Sequence, residues 1–398
     1  MPAKGAFLAS AEVTADVIVA GGGVIGSAIA WRAATAGFGV VVVDPGADEA
    51  ASLVAAGMLA PVSESAFGED ALLRLNLLAL GRFPAFTAEL EQASGLGVGL
   101  RQEGTLAVAY DPGDLAALAR MTAFRRAAGL DAEELDGRAC RRLEPFLAPD
   151  VRGGVRCAGD WSVDNRRYLA ALRAAMLAAG VRVVRGRVTE VRAEDGRASG
   201  VRLARLAGGE AETIDAEAVV VAAGCWSGTI TSLDETVRNG IRPVKGQLLR
   251  LRTPAAMPPV LSHTVRATVR GAEVYLVPRA DGEVVVGATS EERGFDRDVK
   301  AGAVHDLLRD AMSVVPVISE LNLAEASAGL RPGTPDNGPV LGEAGPAGLL
   351  IATGHYRNGI LLSAATADAV VACLAGRKPA AEWEPFSPQR LAVEQGVR

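Results

Sequence analysis

The amino-acid sequence predicts an α/β protein of two interleaved domains, and three observations carry that prediction. The chain has 398 residues, which is long for one hydrophobic core and suits two. Apolar runs of the kind that form buried parallel strands lie near its start, middle and end: "DVIVA" at 16–20, "AVVVAAG" at 218–224 and "GLLIA" at 348–352. Between them, residues 240–290 alternate polar and apolar, as in "EVYLVPR" and "EVVVGAT", the pattern of an antiparallel sheet with one face covered. We therefore expect residues 1–95, 150–238 and 326–398 to form one discontinuous domain. Residues 96–149 and 239–325 form the second, built on a mostly antiparallel sheet with helices.

Element by element, residues 16–20 are a short buried strand, broken by Gly21, Gly22 and Gly23. Residues 24–36 are Ala-rich and predict a helix stopped by Gly37. Residues 40–43 are a second buried strand ending at Asp44. Residues 68–95 predict one long helix and 97–110 strands of a different sheet. Helices follow at 114–129, 138–143 and 164–179, where Leu169, Leu172 and Met176 recur at helical spacing. A strand at 181–184, a hairpin turn at Asp195-Gly196 and a helix around 299–314 complete the middle. The chain ends with a strand at 348–352, a polar knot of His355, Tyr356, Arg357 and Asn358, and a helix from about 359 to 375.

The first three elements make a β-turn-α-β unit, and its turn reads Gly21-x-Gly23-x-x-Gly26. Gly21 permits the tight turn. A side chain at Gly23 would collide with a pyrophosphate. Gly26 lets the helix pack close on the strand. The free N–H groups of the helix N-terminus then face phosphate oxygens. Asp44, at the end of the second strand, can accept hydrogen bonds from a ribose diol, which favours a ribose without a 2′-phosphate. This is a Rossmann-like dinucleotide site, and the turn alone does not separate NAD from FAD. A later strand ending in Ala-Ala-Gly-x-Trp-Ser, with Gly224 in its turn, leans towards FAD.

Composition excludes several classes. Hydrophobic residues at 49% and charged residues at 22% describe a globular chain. A net charge of -6 with scattered Lys and Arg argues against nucleic acid and against a membrane surface. No uninterrupted apolar stretch reads as long enough to span a bilayer, and residues 1–16 read as a short tail with no secretion signal. Cys140, Cys157, Cys225 and Cys373 are too far apart for a Cys-x-x-Cys pair and predict reduced thiols in the cytoplasm. The three histidines, His263, His305 and His355, form no metal-ligating spacing, so no metal is expected.

Taken together, "VAGGGVIGSAIAW", "SLVAAGMLAP" (52–61), "RPVKGQLLRL" (242–251), "VYLVPRADGEVVVGAT" (274–289), "GLRPGTPDNGPVLG" (329–342) and "GHYRNGILLSAAT" resemble one family. It is that of the FAD-dependent oxidases of D-amino acids, sarcosine and glycine, the glycine oxidases of thiamine biosynthesis most of all. The resemblance implies FAD held without a covalent bond, because the position matching the flavin-linked cysteine of monomeric sarcosine oxidases is Gly329. It implies that Val24 and Ile25 lie along the pyrophosphate, and that Asp44, with Pro45 beside it, holds the adenosine ribose. Ala51, Ser52, Ala56, Gly57 and Met58 would line the flavin side, and Val188 would meet the adenine edge. His355, Tyr356, Arg357, Asn358, Gly359, Ile360 and Leu361 would wrap the flavin ring, with Gly354 and Gly359 turning the chain sharply. The final helix would present its N-terminus to the edge of the ring that gains negative charge on reduction.

A small amino acid presents a carboxylate, and in a dry cavity that charge needs a cationic fork. The resemblance points to Arg331 for this role, with the Tyr275 hydroxyl donating to the same carboxylate and Arg357 facing the cavity. Ser290 stands where close relatives carry a bulky apolar residue, so sarcosine and D-alanine join glycine as candidate substrates. The implied reaction takes the amine to an imine and then a 2-oxo acid and ammonia, with O2 reduced to hydrogen peroxide. The imine would otherwise be handed to a thiazole synthase. A dehydrogenase using another acceptor, a non-catalytic FAD-binding subunit, and a homo-oligomer all stay open at this point.

Overall fold

The computed structural model describes residues 14–46, 50–205, 211–269 and 271–395. Residues 1–13 of the expected tail lie outside the described residues. The chain opens with β1 (Thr14–Ala20), α1 (Val24–Thr35) and β2 (Val40–Asp44), the predicted unit. Short α2 (Ala51–Val54) and β3 (Met58–Leu59) lead to the long α3 (Asp70–Ser94), which Gly95 ends in a left-handed cap. Next come β4 (Thr105–Ala109), α4 (Pro112–Ala127), β5 (Glu133–Asp136), α5 (Gly137–Leu143), β6 (Gly153–Cys157) and β7 (Trp161–Ser162). Of the strands expected over 97–110, only β4 forms.

Asp164 accepts the N–H groups of Arg166 and Arg167 and so starts α6 (Asn165–Ala178). There follow β8 (Arg182–Arg185), β9 (Arg187–Glu194) and β10 (Arg197–Ala204). Asp195 and Gly196 both take positive φ, 49° and 76°, the geometry of a two-residue hairpin turn. Then come β11 (Glu212–Val221), α7 (Glu235–Gly240), β12 (Arg242–Arg252), β13 (Thr264–Val269), β14 (Ala272–Pro278) and β15 (Glu283–Gly287). The chain closes with α8 (Ala301–Val314), β16 (Asn322–Gly333), β17 (Val340–Glu343), β18 (Leu349–Thr353), α9 (Gly359–Leu374) and α10 (Arg390–Gln395).

Two eight-stranded sheets result. In the first, β18, β11, β1, β2 and β8 run parallel, with β17 and the β9–β10 hairpin joining antiparallel. One face packs on α1, α3, α6 and α9. The second sheet runs β16-β12-β15-β14-β13-β4-β6-β5 and is antiparallel except between β13 and β4. We propose the two sheets as the cores of the two domains. On that division β6 and β16 belong with the second sheet, so the expected boundaries at 150 and 326 cut across its hydrogen bonding.

Two expectations need correction. The second sheet is covered on both faces over much of its area: residues 244–251 of β12 and all of β15 are buried. Leu249, Leu251 and Val286 face α8, while Leu248, Val277 and Val285 face Ala56 of the first domain. Secondly, the 356–374 stretch is long and apolar enough, by length and composition, to cross a membrane. Here it is a core helix: Leu361, Leu362 and Ala365 are almost fully buried where α9 meets α1 and α3.

Phe83 on α3 is fully buried, its ring centroid 5.4 Å from that of Tyr168 on α6. The Tyr168 hydroxyl in turn bonds Ser363 of α9 at 2.8 Å, so three helices meet at one point. Phe83→Ala should destabilise the chain by about 3–5 kcal/mol through lost burial and the cavity left behind. Urea unfolding checks this, and a loss under about 1 kcal/mol would remove Phe83 from the core's keystone positions.

Candidate functional site

A cavity of about 710 Å³ lies between the carboxyl ends of the first sheet's strands and the inner face of the second sheet. Ala20, Asp44, Ala222 and Thr353, at or just beyond the ends of β1, β2, β11 and β18, reach it from one side. This crevice is where open parallel sheets hold ligands.

At one end sits the glycine-rich turn, and its glycines have separate reasons. Gly21 has φ +110°, and a Cβ there would stand 2.5 Å from the Ala222 carbonyl oxygen. A Cβ at Gly26 would stand 1.8 Å from the Gly21 carbonyl oxygen. Gly26 therefore serves helix–strand packing and does not line the cavity. A Cβ at Gly23 meets only Ser52 Oγ, at 3.6 Å. The protein leaves that space open, and it opens into the cavity at the N-terminus of α1. These residues fit a dinucleotide pyrophosphate. The Val24 N–H donates to Ser52 Oγ at 3.0 Å. Asp44 accepts from the Gly22 and Gly46 N–H groups at 2.6 and 2.9 Å, which fixes its carboxylate at the cavity edge. Ile25, Pro45, Ala51, Val188 and Gly224 also line this part.

Side chains from elsewhere hold the 52–57 segment along the cavity wall. Asn165 Nδ2 donates to the Ser52 carbonyl at 2.7 Å, and Arg250 and Arg166 reach the Leu53 carbonyl at 3.4 and 3.2 Å. Arg279 donates to the Ala56 and Val163 carbonyls at 2.5 and 2.9 Å. Burial pulls the Arg279 guanidinium down to about 10, with Arg250 beside it adding to the effect and nearby carboxylates opposing it. Ala56, Gly57 and Met58 then line the cavity.

The far end is built on the second sheet. Arg331 of β16 lies flat across Gly246 of β12; a Cβ at Gly246 would sit 2.3 Å from its guanidinium. Tyr275 of β14 lies in the same way across Gly287 of β15, its direct cross-strand partner. Arg331 Nη1 donates to the Thr289 carbonyl at 3.1 Å, and its guanidinium is within hydrogen-bonding reach of the Tyr275 hydroxyl. Burial raises the Tyr275 phenol above its ordinary value, against the pull of Arg331, so it stays a neutral donor. Tyr356 goes the other way: burial pushes it up, but Arg357 and Ser290 hydrogen bonds and the Arg357 and Arg331 charges bring it below the ordinary value. Ser290 is exposed yet lines the cavity, at its mouth.

Residues 354–361 run between these ends. Gly354 has φ +73°, a conformation that requires glycine here. Gly359 was expected to turn sharply too, but its φ of -57° is helical, and it begins α9. Gly359 and Ile360 bring the α9 N-terminus to the cavity, whereas Asn358 only precedes the helix and Leu361 turns into the core; neither lines the cavity. His355 is buried and bonds Thr366 Oγ1 through Nε2 at 2.9 Å. Burial holds its imidazole down at about 3, so it is neutral.

Of the charged cluster at this end, only Arg357 was expected at the cavity. Arg266 Nη1 donates to Glu64 Oε1 at 2.6 Å, and Glu273 lies 3.9 Å from Arg266 and 3.8 Å from Arg357. All four line the cavity. Gly246 and Gly287 were legible signals passed over, since a glycine inside a strand marks close approach of another group. Among the described residues, no group of acidic, His or Cys side chains is placed to hold a metal ion.

The family described as FAD dependent oxidoreductase matches residues 16–373. The glycine oxidase of Geobacillus kaustophilus is 34% identical over 96% of this chain and 98% of its own length. Its crystal structure superposes with a TM-score of 0.84 over 94% of this chain and 98% of that one. The bifunctional protein ThiO/ThiG of Synechocystis sp. is 32% identical over 96% of this chain and 54% of its own length. The chain thus spans about half the length of the ThiO/ThiG proteins it matches.

Two outcomes test the site. Gly23→Ala should fold with a melting temperature close to that of the parent, both without cofactor, but purify colourless, because only the ligand needs that space. Gly26→Ala should lose stability outright, since its Cβ meets backbone. Equal flavin content in Gly23→Ala and the parent would remove the phosphate assignment. His355 supplies the second outcome. The unfolded chain takes up a proton as pH falls through 6.5, and the folded chain does not until about 3. Stability from this group therefore falls with pH inside that window, by up to about 1.4 kcal/mol per pH unit. The urea stability of the parent minus that of His355→Asn should show this slope, and a pH-independent difference would contradict it.

Proposed function

The chain belongs to the FAD-dependent oxidoreductase family, and from that premise we propose that it oxidises small amino acids at the carbon bearing the amine, with glycine foremost. The amine becomes an imine, which water hydrolyses to a 2-oxo acid and ammonia, and O2 takes the electrons to give hydrogen peroxide. FAD, when bound, supplies the two-electron oxidation. The protein supplies position, exclusion of water and electrostatics.

One observation carries this reading. Arg331 and Tyr275 lie flat over strand glycines at one end of the cavity whose other end is the glycine-rich turn. A planar guanidinium beside a neutral phenol matches the two oxygens of a carboxylate. The α9 N-terminus and the open space at Gly23 support a bound dinucleotide between them. With glycine at position 329 the flavin is held without a covalent bond. Ser290 at the mouth leaves room for the extra methyl of sarcosine or D-alanine. The likeness to ThiO/ThiG proteins supports a further step, in which the imine passes to a thiazole synthase for the thiazole ring of thiamine. The net charge of -6 and the buried packing of α9 support a cytoplasmic protein.

Arg331→Ala should retain FAD and lose about 3–5 kcal/mol of transition-state stabilisation for glycine, the usual cost of removing one partner of a desolvated charge pair. The measurements are flavin content, bleaching of the flavin by glycine without air, and peroxide release in air. An unchanged kcat/KM in a fully loaded variant would end the carboxylate assignment, and a parent that glycine, sarcosine and D-alanine all fail to bleach would end the reading itself.

A further inference from the structure

The stretch "RPVKGQLLRL" at 242–251 carries Lys245-Gly246-Gln247, of which the site described so far uses only Gly246. Lys245 is fully buried on the face of β12 away from the cavity. Its ammonium donates to Asp296 Oδ2 at 3.0 Å and to the Asp298 carbonyl at 2.6 Å. Gln247 donates from Nε2 to Glu291 Oε1 at 2.6 Å and accepts from the Lys300 N–H at 2.7 Å. Lys245 and Glu291 also exchange backbone hydrogen bonds, at 2.8 and 3.0 Å. These contacts fasten the 289–300 segment, which has no helix or strand of its own, to the back of β12.

Thr289 begins that segment and faces both ways. Its hydroxyl accepts from the Gln247 N–H at 2.9 Å and donates to Glu291 Oε1 at 2.6 Å. Its carbonyl accepts from Arg331 Nη1 at 3.1 Å. Glu291 thus receives two donors on one oxygen, from Thr289 and from Gln247. Burial pushes the Glu291 carboxyl up, but these hydrogen bonds and the Lys245 and Arg293 charges bring it below the ordinary range, so it remains a charged acceptor. A long arginine side chain left to itself spreads over many rotamers. Here its guanidinium is laid on Gly246 and held at one edge by a carbonyl whose own peptide is fixed from behind.

We propose that Glu291 and the Thr289 hydroxyl are positioning residues for Arg331. They orient the Thr289 carbonyl so that it binds one edge of the guanidinium and leaves the remaining N–H groups for the substrate carboxylate. This rests on the reading that Arg331 holds that carboxylate. Neither residue touches substrate through its side chain; both act through the direction of one carbonyl.

The test uses the FAD-loaded enzyme, with glycine as substrate and acetate as a carboxylate inhibitor that lacks the amine. Glu291→Gln and Thr289→Val should each raise the glycine KM and the acetate inhibition constant about five- to twenty-fold, with kcat within about two-fold. Thr289→Ser keeps the hydroxyl and should restore both constants. In an Arg331→Ala background Glu291→Gln should add less than about two-fold, because the two changes remove one interaction. A purely structural role would instead multiply with Arg331→Ala and would lower the melting temperature or flavin content in step. Multiplicative effects, or unchanged constants in both single variants while Arg331→Ala raises them, overturn this inference alone. Unchanged constants in Arg331→Ala overturn the carboxylate reading and this inference with it.

Discussion

The structure depends on a small set of side chains, the buried Asn165, Arg250 and Arg279 with the half-buried Arg166, that grip the backbone of residues 52–57. Asn165 holds the Ser52 carbonyl, Arg250 and Arg166 the Leu53 carbonyl, and Arg279 the Ala56 carbonyl. Asn165 Oδ1 also accepts from both Arg250 and Arg279. These groups come from α6, from β12 and from the turn after β14, so one cluster ties the first sheet's helices to the second sheet. Burying two guanidinium groups together costs desolvation and mutual repulsion. Glu283, bonded to Arg250 at 2.5 Å, and the row of carbonyls offset that cost. The result is a wall of the cavity made of the short α2 and the irregular backbone after it, each held through its carbonyls.

That wall lets the cavity keep different electrostatics at its two ends. At the nucleotide end the start of α1 contributes backbone N–H groups, with the Asp44 carboxylate as the fixed acceptor. At the far end the charge is carried by side chains: Arg331, Arg266 and Arg357 against Glu64 and Glu273. Between them His355 is kept neutral by burial, so the α9 N-terminus is not screened or opposed by an imidazolium. Tyr275 is likewise held as a neutral phenol beside a permanent cation, which makes it a donor and never a competing anion.

What could be read from the sequence divides along a physical line. The β1-α1-β2 unit was legible because all its determinants are contiguous: the apolar strand, the three glycines, the Ala-rich helix and Asp44. The hairpin at Asp195-Gly196 and the long α3 were legible for the same reason. Membership of β6 in the second sheet was not, because it is decided by pairing with β4 and β5 and not by anything in "GGVRC" itself. Arg357 was legible from its motif, but its partners Glu64, Arg266 and Glu273 were not, since they come from separate stretches that nothing local links to the cavity. The one-face pattern of 240–290 misled because Arg250 and Lys245 are buried in ion pairs with Glu283 and Asp296, so polarity did not mean exposure.

The glycines show how sequence and function separate at the level of single positions. Gly21 and Gly354 are required by backbone conformation, with φ of +110° and +73°. Gly26, Gly246 and Gly287 are required by something the protein itself lays against them: a carbonyl, a guanidinium and a phenol ring. Gly23 meets neither demand, since its backbone is extended and its missing side chain borders open cavity. A residue that the folded chain does not need as glycine, sitting where a helix begins and a cavity opens, is accounted for by what the cavity holds. In the other two groups a larger side chain breaks the fold or displaces a site residue. At Gly23 it breaks only binding, and that makes it the position where the chain's fold and its cofactor can be told apart.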